Sequence, residues 1–378
     1  MKVYMDNGST TMVDPLVVDE MLKFFTEKYG NASSLHSLGV EAKESLEGAR
    51  KKIASLLNAE KNEIIFTSGG TESNNLAIKG IAFAKKPKGN HIITTKIEHK
   101  SVLNTCKWLE TQGFEITYLD VDKEGFVRLE DIEKNINEKT ILVSIIHGNN
   151  EIGSINDIEK IGKLCKKNNI IFHTDACQSF TKTEIDVKKQ NLDLVTINSH
   201  KIHGPKGVGA LYLRKGIVIE NLMHGADHEM KKRPGTENIS GIVGFAKASE
   251  LPSNVNKMEK LRDKLIENIL KIPKTRLNGP IKNRLCNNIN ISFREIEGEA
   301  LLGYLDEKGI SSSTGSACSE KTLEPSYVLM ALGLEHEDAN GTMRLTISKF
   351  TTEEEVDYMI KVLPEIVERL RKMSPLGD

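Results

Sequence analysis

Apolar positions along this chain alternate between two spacings. Ala42, Leu46, Ala49, Ile53, Leu56 and Leu57 recur at the helical period and predict an amphipathic helix. Short apolar runs at residues 63–67, 91–95, 141–146, 170–173 and 192–197 read instead as buried strands. Helical spacing returns between them, for example at Ile158, Ile161 and Leu164. Strand–helix alternation from about residue 40 to residue 215 predicts an α/β domain with a mainly parallel sheet. Such a sheet places ligands at the carboxyl ends of its strands. Further on, a charged stretch at 257–264 predicts an exposed helix leading to a second, smaller domain. That domain has strand-like runs at 288–293 and 344–348. It closes with a helix starting near Thr352, where Thr352 and Glu355 have capping-box spacing. Pro364 is expected to bend or divide this helix. No internal repeat or low-complexity segment is evident.

Composition narrows the picture. A chain of 378 residues with 38% hydrophobic and 28% charged positions fits two or three ordinary globular domains. The 52 basic and 53 acidic residues nearly cancel, which gives no support to a nucleic-acid or membrane partner. Five cysteines, an odd number in so long a chain, do not form a disulfide framework and suggest a reducing compartment. The N-terminus has no apolar signal region and no apolar run could span a bilayer, so a cytoplasmic location is expected.

Four polar clusters could carry chemistry. Residues 68–75, Ser-Gly-Gly-Thr-Glu-Ser-Asn-Asn, follow a predicted strand and open a helix. That arrangement aims backbone N–H groups at a phosphate, although a plain capped turn would look the same. Residues 173–178 contain Asp175 and Gln178 after another strand; the acid can fix a cationic nitrogen or simply cap a helix. Residues 198–207 contain Lys201 and Lys206. A lysine desolvated at a strand end has a depressed pKa and can form a Schiff base, and nothing local decides between the two. Residues 311–319 place Cys318 in a small polar loop suited to an accessible thiol, whereas Cys106, Cys165, Cys177 and Cys286 read as packing residues.

Together these segments resemble the cysteine desulfurases of the NifS/IscS type, over nearly the whole chain. The resemblance rests on residues 67–75, Glu98-His99-Lys100, 149–153, Ser199-His200-Lys201, 204–207, Gly315-Ser316-Ala317-Cys318 and 324–329. It implies the fold type I of pyridoxal 5′-phosphate (PLP) enzymes. A large domain of residues 14–255 would carry a mostly parallel seven-stranded sheet. Residues 1–13 and 256–378 would form a smaller α/β domain. It further implies a homodimer and conversion of L-cysteine to L-alanine. The sulfur would pass to Cys318 as a persulfide for an iron–sulfur scaffold protein or another acceptor.

By the same resemblance, Lys201 forms the Schiff base with PLP and removes the substrate Cα proton. His99 stacks on the ring and takes part in proton transfer. Asp175 pairs with the pyridinium nitrogen and Gln178 with the ring hydroxyl. Gly70, Thr71, Asn198, Ser199 and His200 lie on the phosphate side, and Thr236 reaches the phosphate bound by the neighbouring subunit. Asn150 lies near cofactor and substrate, and Arg344 clamps the substrate carboxylate. In some relatives the loop cysteine also ligates a [2Fe-2S] cluster shared with the scaffold, a role that would fall to Cys318.

Several positions depart from the family pattern: Asn198 in place of Ser, Gly148 in place of a residue with a side chain, Ala32 in place of Pro, and residues 224–229 in place of a glycine run, with Asp227 acidic. These bear on PLP affinity and turnover. A selenocysteine lyase or aminotransferase of the same fold, or a weakly active docking platform for a scaffold protein, are the alternative readings.

Overall fold

The computed structural model describes residues 1–314 and 325–374. Twelve strands are described: β1 (Val3–Tyr4), β2 (Ile64–Thr67), β3 (His91–Thr95), β4 (Glu115–Leu119), β5 (Thr140–Ser144), β6 (Ile171–Asp175), β7 (Leu194–Asn198), β8 (Gly209–Leu213), β9 (Thr275–Leu277), β10 (Asn288–Phe293), β11 (Ile310–Ser311) and β12 (Thr342–Thr346). Seven of them form the main sheet in the order β2-β8-β7-β6-β5-β3-β4. Only β8 runs against its neighbours, so β2 to β7 all point the same way. The expected α/β class and mostly parallel seven-stranded sheet are therefore what the chain forms.

Both faces of this sheet are covered, which explains the continuous apolar runs of its strands. Phe66, Ile93, Val143 and Val195 join one apolar core, and their chain neighbours Ile65, Ile92, Leu142 and Leu194 join another on the opposite face. Helix Gly70–Lys85 lies on the second face through Leu76, Ala77, Ile78 and Ile81. Two strands of this seven-stranded sheet have no counterpart in the sequence reading. β4 is only half-buried, with Glu115 exposed, and its weak pattern is that of an edge strand. β8 is fully buried but short and opens on a glycine.

A separate apolar cluster joins Val3 and Met5 to Ile289, Ile291, Met343, Leu345, Met359 and Leu363. It backs a three-stranded antiparallel sheet, β12-β10-β9. The charged stretch lies in helix Val255–Ile269, which is exposed on one side and buries Met258, Leu261, Leu265 and Ile269 on the other. The closing helix, Glu353–Met373, has the expected capping box, Thr352 N–H to Glu355 Oε2 at 2.8 Å and Glu355 N–H to Thr352 Oγ1 at 3.2 Å. Of the two outcomes expected of Pro364, a bend or a division, the continuous helix rules out division. The proline faces solvent, while Met359 and Leu363 before it and Ile366, Val367 and Leu370 after it are buried on one stripe. Packing of that stripe offsets the single missing backbone hydrogen bond. No helix among the described residues is long and apolar enough to cross a membrane.

Candidate active site

The carboxyl ends of β2, β3, β5, β6 and β7 converge on one edge of the sheet, and each is followed by a polar cluster. After β2, Gly69 adopts φ +152°, a conformation that side chains rarely take, and starts helix Gly70–Lys85. A Cβ on Gly70 would come within 2.6 Å of Cys177 Sγ, so only glycine brings the helix start this close to β6. First-turn amides have no partner within a helix, so a helix that starts at this edge of the sheet offers an anion cradle there.

After β7, Lys201 turns its Nζ inward. It donates to the carbonyl of Gly8 and, at 2.7 Å, to that of Ser9. Desolvation, reinforced by the Arg344 guanidinium, lowers its pKa to about 8. Lys206 is exposed. The N-terminal segment that holds Lys201 is a strap between the two sheets. Met5 and Asn7 pair with Thr346 on β12, and Thr11 N–H bonds the carbonyl of His200 at 3.0 Å. Gly8 also accepts from Gln178 Nε2 at 3.0 Å. Arg344, on β12, is 3% exposed. It donates to Asn150 O at 3.0 Å, Asp6 Oδ1 at 2.9 Å and Ser9 Oγ at 2.8 Å. Asp6, Gly8 and Ser9 were not singled out from sequence; their short, polar, glycine-containing run carries no local signal beyond a turn.

Asp175 ends β6 and is 4% exposed. Its Oδ1 accepts from Cys177 N–H at 2.9 Å, the local capping role, and its Oδ2 accepts from Asn74 Nδ2 at 2.7 Å. His99 caps helix Lys100–Glu110, and burial lowers its pKa. Two fully buried carboxyls flank the site. Burial pushes Glu98 up to about 8, against hydrogen bonds from Thr95 and Ile146, and Glu151 up to about 7, against one from Ser326. Each lies in a segment that carries the resemblance, but nothing local marks either as a raised acid, because burial is not a local property.

PLP would need an amine for its aldehyde, an acid for its ring nitrogen and polar partners for its phosphate. The residues present fit it. Besides Lys201, Asp175 and the Gly70 cradle, buried polar atoms without a hydrogen-bond partner among the described residues include Asn198 Oδ1, Ser199 Oγ, Asn150 Oδ1 and Arg344 Nε. Buried polar atoms are seldom left unpaired unless a ligand, water or ion completes them, and these four lie on the residues that PLP and its substrate would meet. His200 Nδ1 is 3.2 Å from Thr10 Oγ1, and Thr71 lies exposed in the first turn of its helix. Thr236 is exposed, on a segment tied to the phosphate-side turn by Arg233 Nε to Glu72 Oε1 at 2.9 Å. Cys318 lies outside the described residues; the four described cysteines are all buried.

The departures also have local accounts. A Cβ on Gly148 would meet Leu285 Cδ2 at 3.0 Å and Ser179 Cβ at 3.2 Å, so glycine makes room for leucine. Ala32 is buried in the large core. Asp227 is exposed and pairs with Lys231 at 3.2 Å. Beside it, Glu229 forms a buried two-pronged pair with Arg50, at 2.6 and 2.7 Å, and accepts from Phe66 N–H at 2.7 Å.

This arrangement can be set beside known proteins. The family model described as Aminotransferase class-V matches residues 3–359. The chain is 53% identical to the cysteine desulfurase IscS of Clostridium botulinum (strain Hall), over 385 aligned positions that cover 100% of this chain and 97% of the relative. Among solved structures, a NifS-like protein superposes with a TM-score of 0.92 at 40% identity, covering 98% of this chain and 100% of that one. SspA in complex with cysteine superposes at 0.84 and 36% identity, covering 93% and 100%. Matched almost end to end by the family model and by these relatives, the chain belongs to the class-V aminotransferase family.

Proposed function

We propose that this protein is a PLP-dependent cysteine desulfurase, converting L-cysteine to L-alanine while Cys318 takes the sulfur as a persulfide. The reaction balances without an outside oxidant: the substrate Cβ–S bond breaks, an S–S bond forms at Cys318, and a proton replaces sulfur on Cβ. The observation that carries the reading is Lys201 Nζ, desolvated past the end of β7, with the Arg344 guanidinium acting on it and the Gly8 and Ser9 carbonyls holding it. The relative named as a cysteine desulfurase and the neighbour holding cysteine support the choice of substrate.

When bound, PLP supplies an aldehyde carbon and a ring that takes up electrons from the substrate Cα. Asp175 would hold the ring nitrogen, Gln178 the ring hydroxyl, and the Gly70 and Thr71 amides with Asn198, Ser199 and His200 the phosphate. Lys201, with a pKa of about 8, is neutral in enough molecules at pH 7 to 8 to accept the Cα proton. Arg344 presents Nε and a preset guanidinium to the substrate carboxylate, with Asn150 fixed against it.

The proposal extends to assembly. Val18, Leu22 and Phe25, on one stripe of helix Pro15–Thr26, are 40%, 56% and 58% exposed, and Tyr29 and Leu35 extend the apolar surface. Near Thr236, His228 Nδ1 and Glu237 Oε2 are buried without a hydrogen bond among the described residues, although His228 Nε2 lies 4.0 Å from that oxygen. Both features suit a homodimer in which Thr236 completes the neighbour's phosphate site. The cores support a division into residues 14–255 and residues 1–13 with 256–378. A cytoplasmic setting, delivery to an iron–sulfur scaffold and a [2Fe-2S] role for Cys318 complete the reading.

The visible spectrum of the purified protein tests it. The wild type should absorb as a PLP protein and change on addition of cysteine. Lys201→Ala should lose the absorbance on dialysis. Cys318→Ala should keep the absorbance yet lose cysteine-dependent sulfide. Full sulfide release from Cys318→Ala, or a strong preference for selenocysteine, would overturn the reading.

A further inference from the structure

Two residues outside the roles given so far connect the ring-nitrogen acid to the ring-stacking histidine. Asn74, on the helix that follows β2, is 1% exposed, and Ser101, in the first turn of helix Lys100–Glu110, is 9% exposed. Asn74 Nδ2 reaches both Asp175 Oδ2 at 2.7 Å and Ser101 Oγ at 2.8 Å. Ser101 Oγ in turn lies 2.8 Å from His99 Nδ1, which also receives the Ser101 N–H at 3.2 Å.

The proton positions along this chain follow from elementary bonding rules. A carboxylate only accepts, so the Asn74 amide must turn its nitrogen toward Asp175; the reverse orientation sets two oxygens face to face. The second Nδ2 hydrogen then goes to Ser101 Oγ, which spends a lone pair on it. A hydroxyl has one hydrogen, and the acceptor that remains in reach is His99 Nδ1. With two donors aimed at it, Nδ1 carries no proton. We infer that Asn74 and Ser101 form a one-way donor chain from Asp175 that holds His99 neutral with its proton on Nε2. His99 thus serves the site as a hydrogen-bond donor rather than as a base.

This bears on the division of labour. An imidazole protonated at Nε2 and blocked at Nδ1 has no free lone pair, which leaves Lys201 to take the Cα proton. To become charged, His99 would have to displace the Ser101 hydroxyl, whose other side is already held by Asn74. The groups acting on the ring agree: burial, Lys201 and Lys100 disfavour its charged form, and Asp175 alone opposes them. Asn74 and Ser101 are positioning residues. The inference builds on the reading of His99 as a ring-facing residue, but the tautomer is measurable whatever the cofactor content. Failure here would therefore leave the desulfurase reading standing, and the reverse holds too.

The test is nitrogen NMR of the full-length protein labelled with 15N-histidine. There are 10 histidines, and His99→Gln identifies the pair of signals in question. At pH 7 the wild type should show an unprotonated, hydrogen-bonded Nδ1 and a protonated Nε2. Ser101→Ala should move the Nδ1 signal toward that of a free lone pair and raise the His99 pKa by about one unit. Ser101→Thr, which keeps the hydroxyl, should restore both. A proton on Nδ1 in the wild type, a charged ring at pH 7, or a Ser101→Ala spectrum identical to wild type would each overturn the inference. The wild-type tautomer decides the matter even should the alanine variant fold poorly.

Discussion

Lys201 and Lys206 show what a single residue's surroundings decide. Both follow β7, and the local sequence does not separate them; motif resemblance chose Lys201. In the structure the choice is made by the strap, whose Gly8 and Ser9 carbonyls meet Lys201 while Lys206 stays exposed. Those carbonyls lie far away in sequence. Glu98 makes a similar point about charge. Its folded pKa of about 8 lies above its ordinary 4.5, so between those values the folded state holds one more proton than the unfolded chain. Its contribution is fully present below pH 4.5 and is lost as pH rises through 8. Glu98→Gln should remove that loss. Relative to wild type the variant should be near neutral at pH 4 and gain about 2 kcal/mol by pH 6, rising further up to pH 8, read from urea midpoints. An equal offset at both pH values would show that the carboxyl is already ionised in the fold.

Elements with a strong period and clear caps were legible: the helix over Ala42 to Leu57, five strands of the sheet and the capping box at Thr352. Those missed were the ones whose partners define them. β4 is a half-exposed edge and β8 a five-residue strand whose antiparallel place between β2 and β7 no local pattern foretells. The unusual segment at 224–238 is held in the same way. Its Glu229 has φ +44° and is fixed by Arg50, with side chains 3% and 6% exposed. Arg50→Met should leave a buried carboxylate unpaired and cost about 3 kcal/mol in urea unfolding. The Phe66 amide, which donates to Glu229, should exchange its hydrogen faster as well. A loss under about 1 kcal/mol would mean that the pair nearly breaks even.

For the whole molecule, the site is a meeting of distant parts. Arg344 comes from the small sheet, Asp175 and Lys201 from the large one, and the strap of residues 3–11 joins them. In the proposed homodimer, the exposed apolar stripe on helix Pro15–Thr26 is the surface offered to the second copy. Leu22→Glu combined with Phe25→Glu should shift the mass in analytical ultracentrifugation from two chains to one. A double variant that stays dimeric would place the interface elsewhere. No reading of the sequence marked this stripe, because Leu22 and Phe25 look like core residues until the structure shows which side of the helix they occupy.

Taken alone, the sequence determined the order and type of most elements and the kind of chemistry at the strand ends. Apolar period, turn residues and a run of matching motifs are local and survive in one dimension. Only the tertiary structure decided which lysine loses its water, which carboxyls burial pushes up and which way the hydrogen bonds run from Asp175 to His99. Each of these depends on desolvation and on partners brought from far along the chain, and neither quantity exists before the chain has folded.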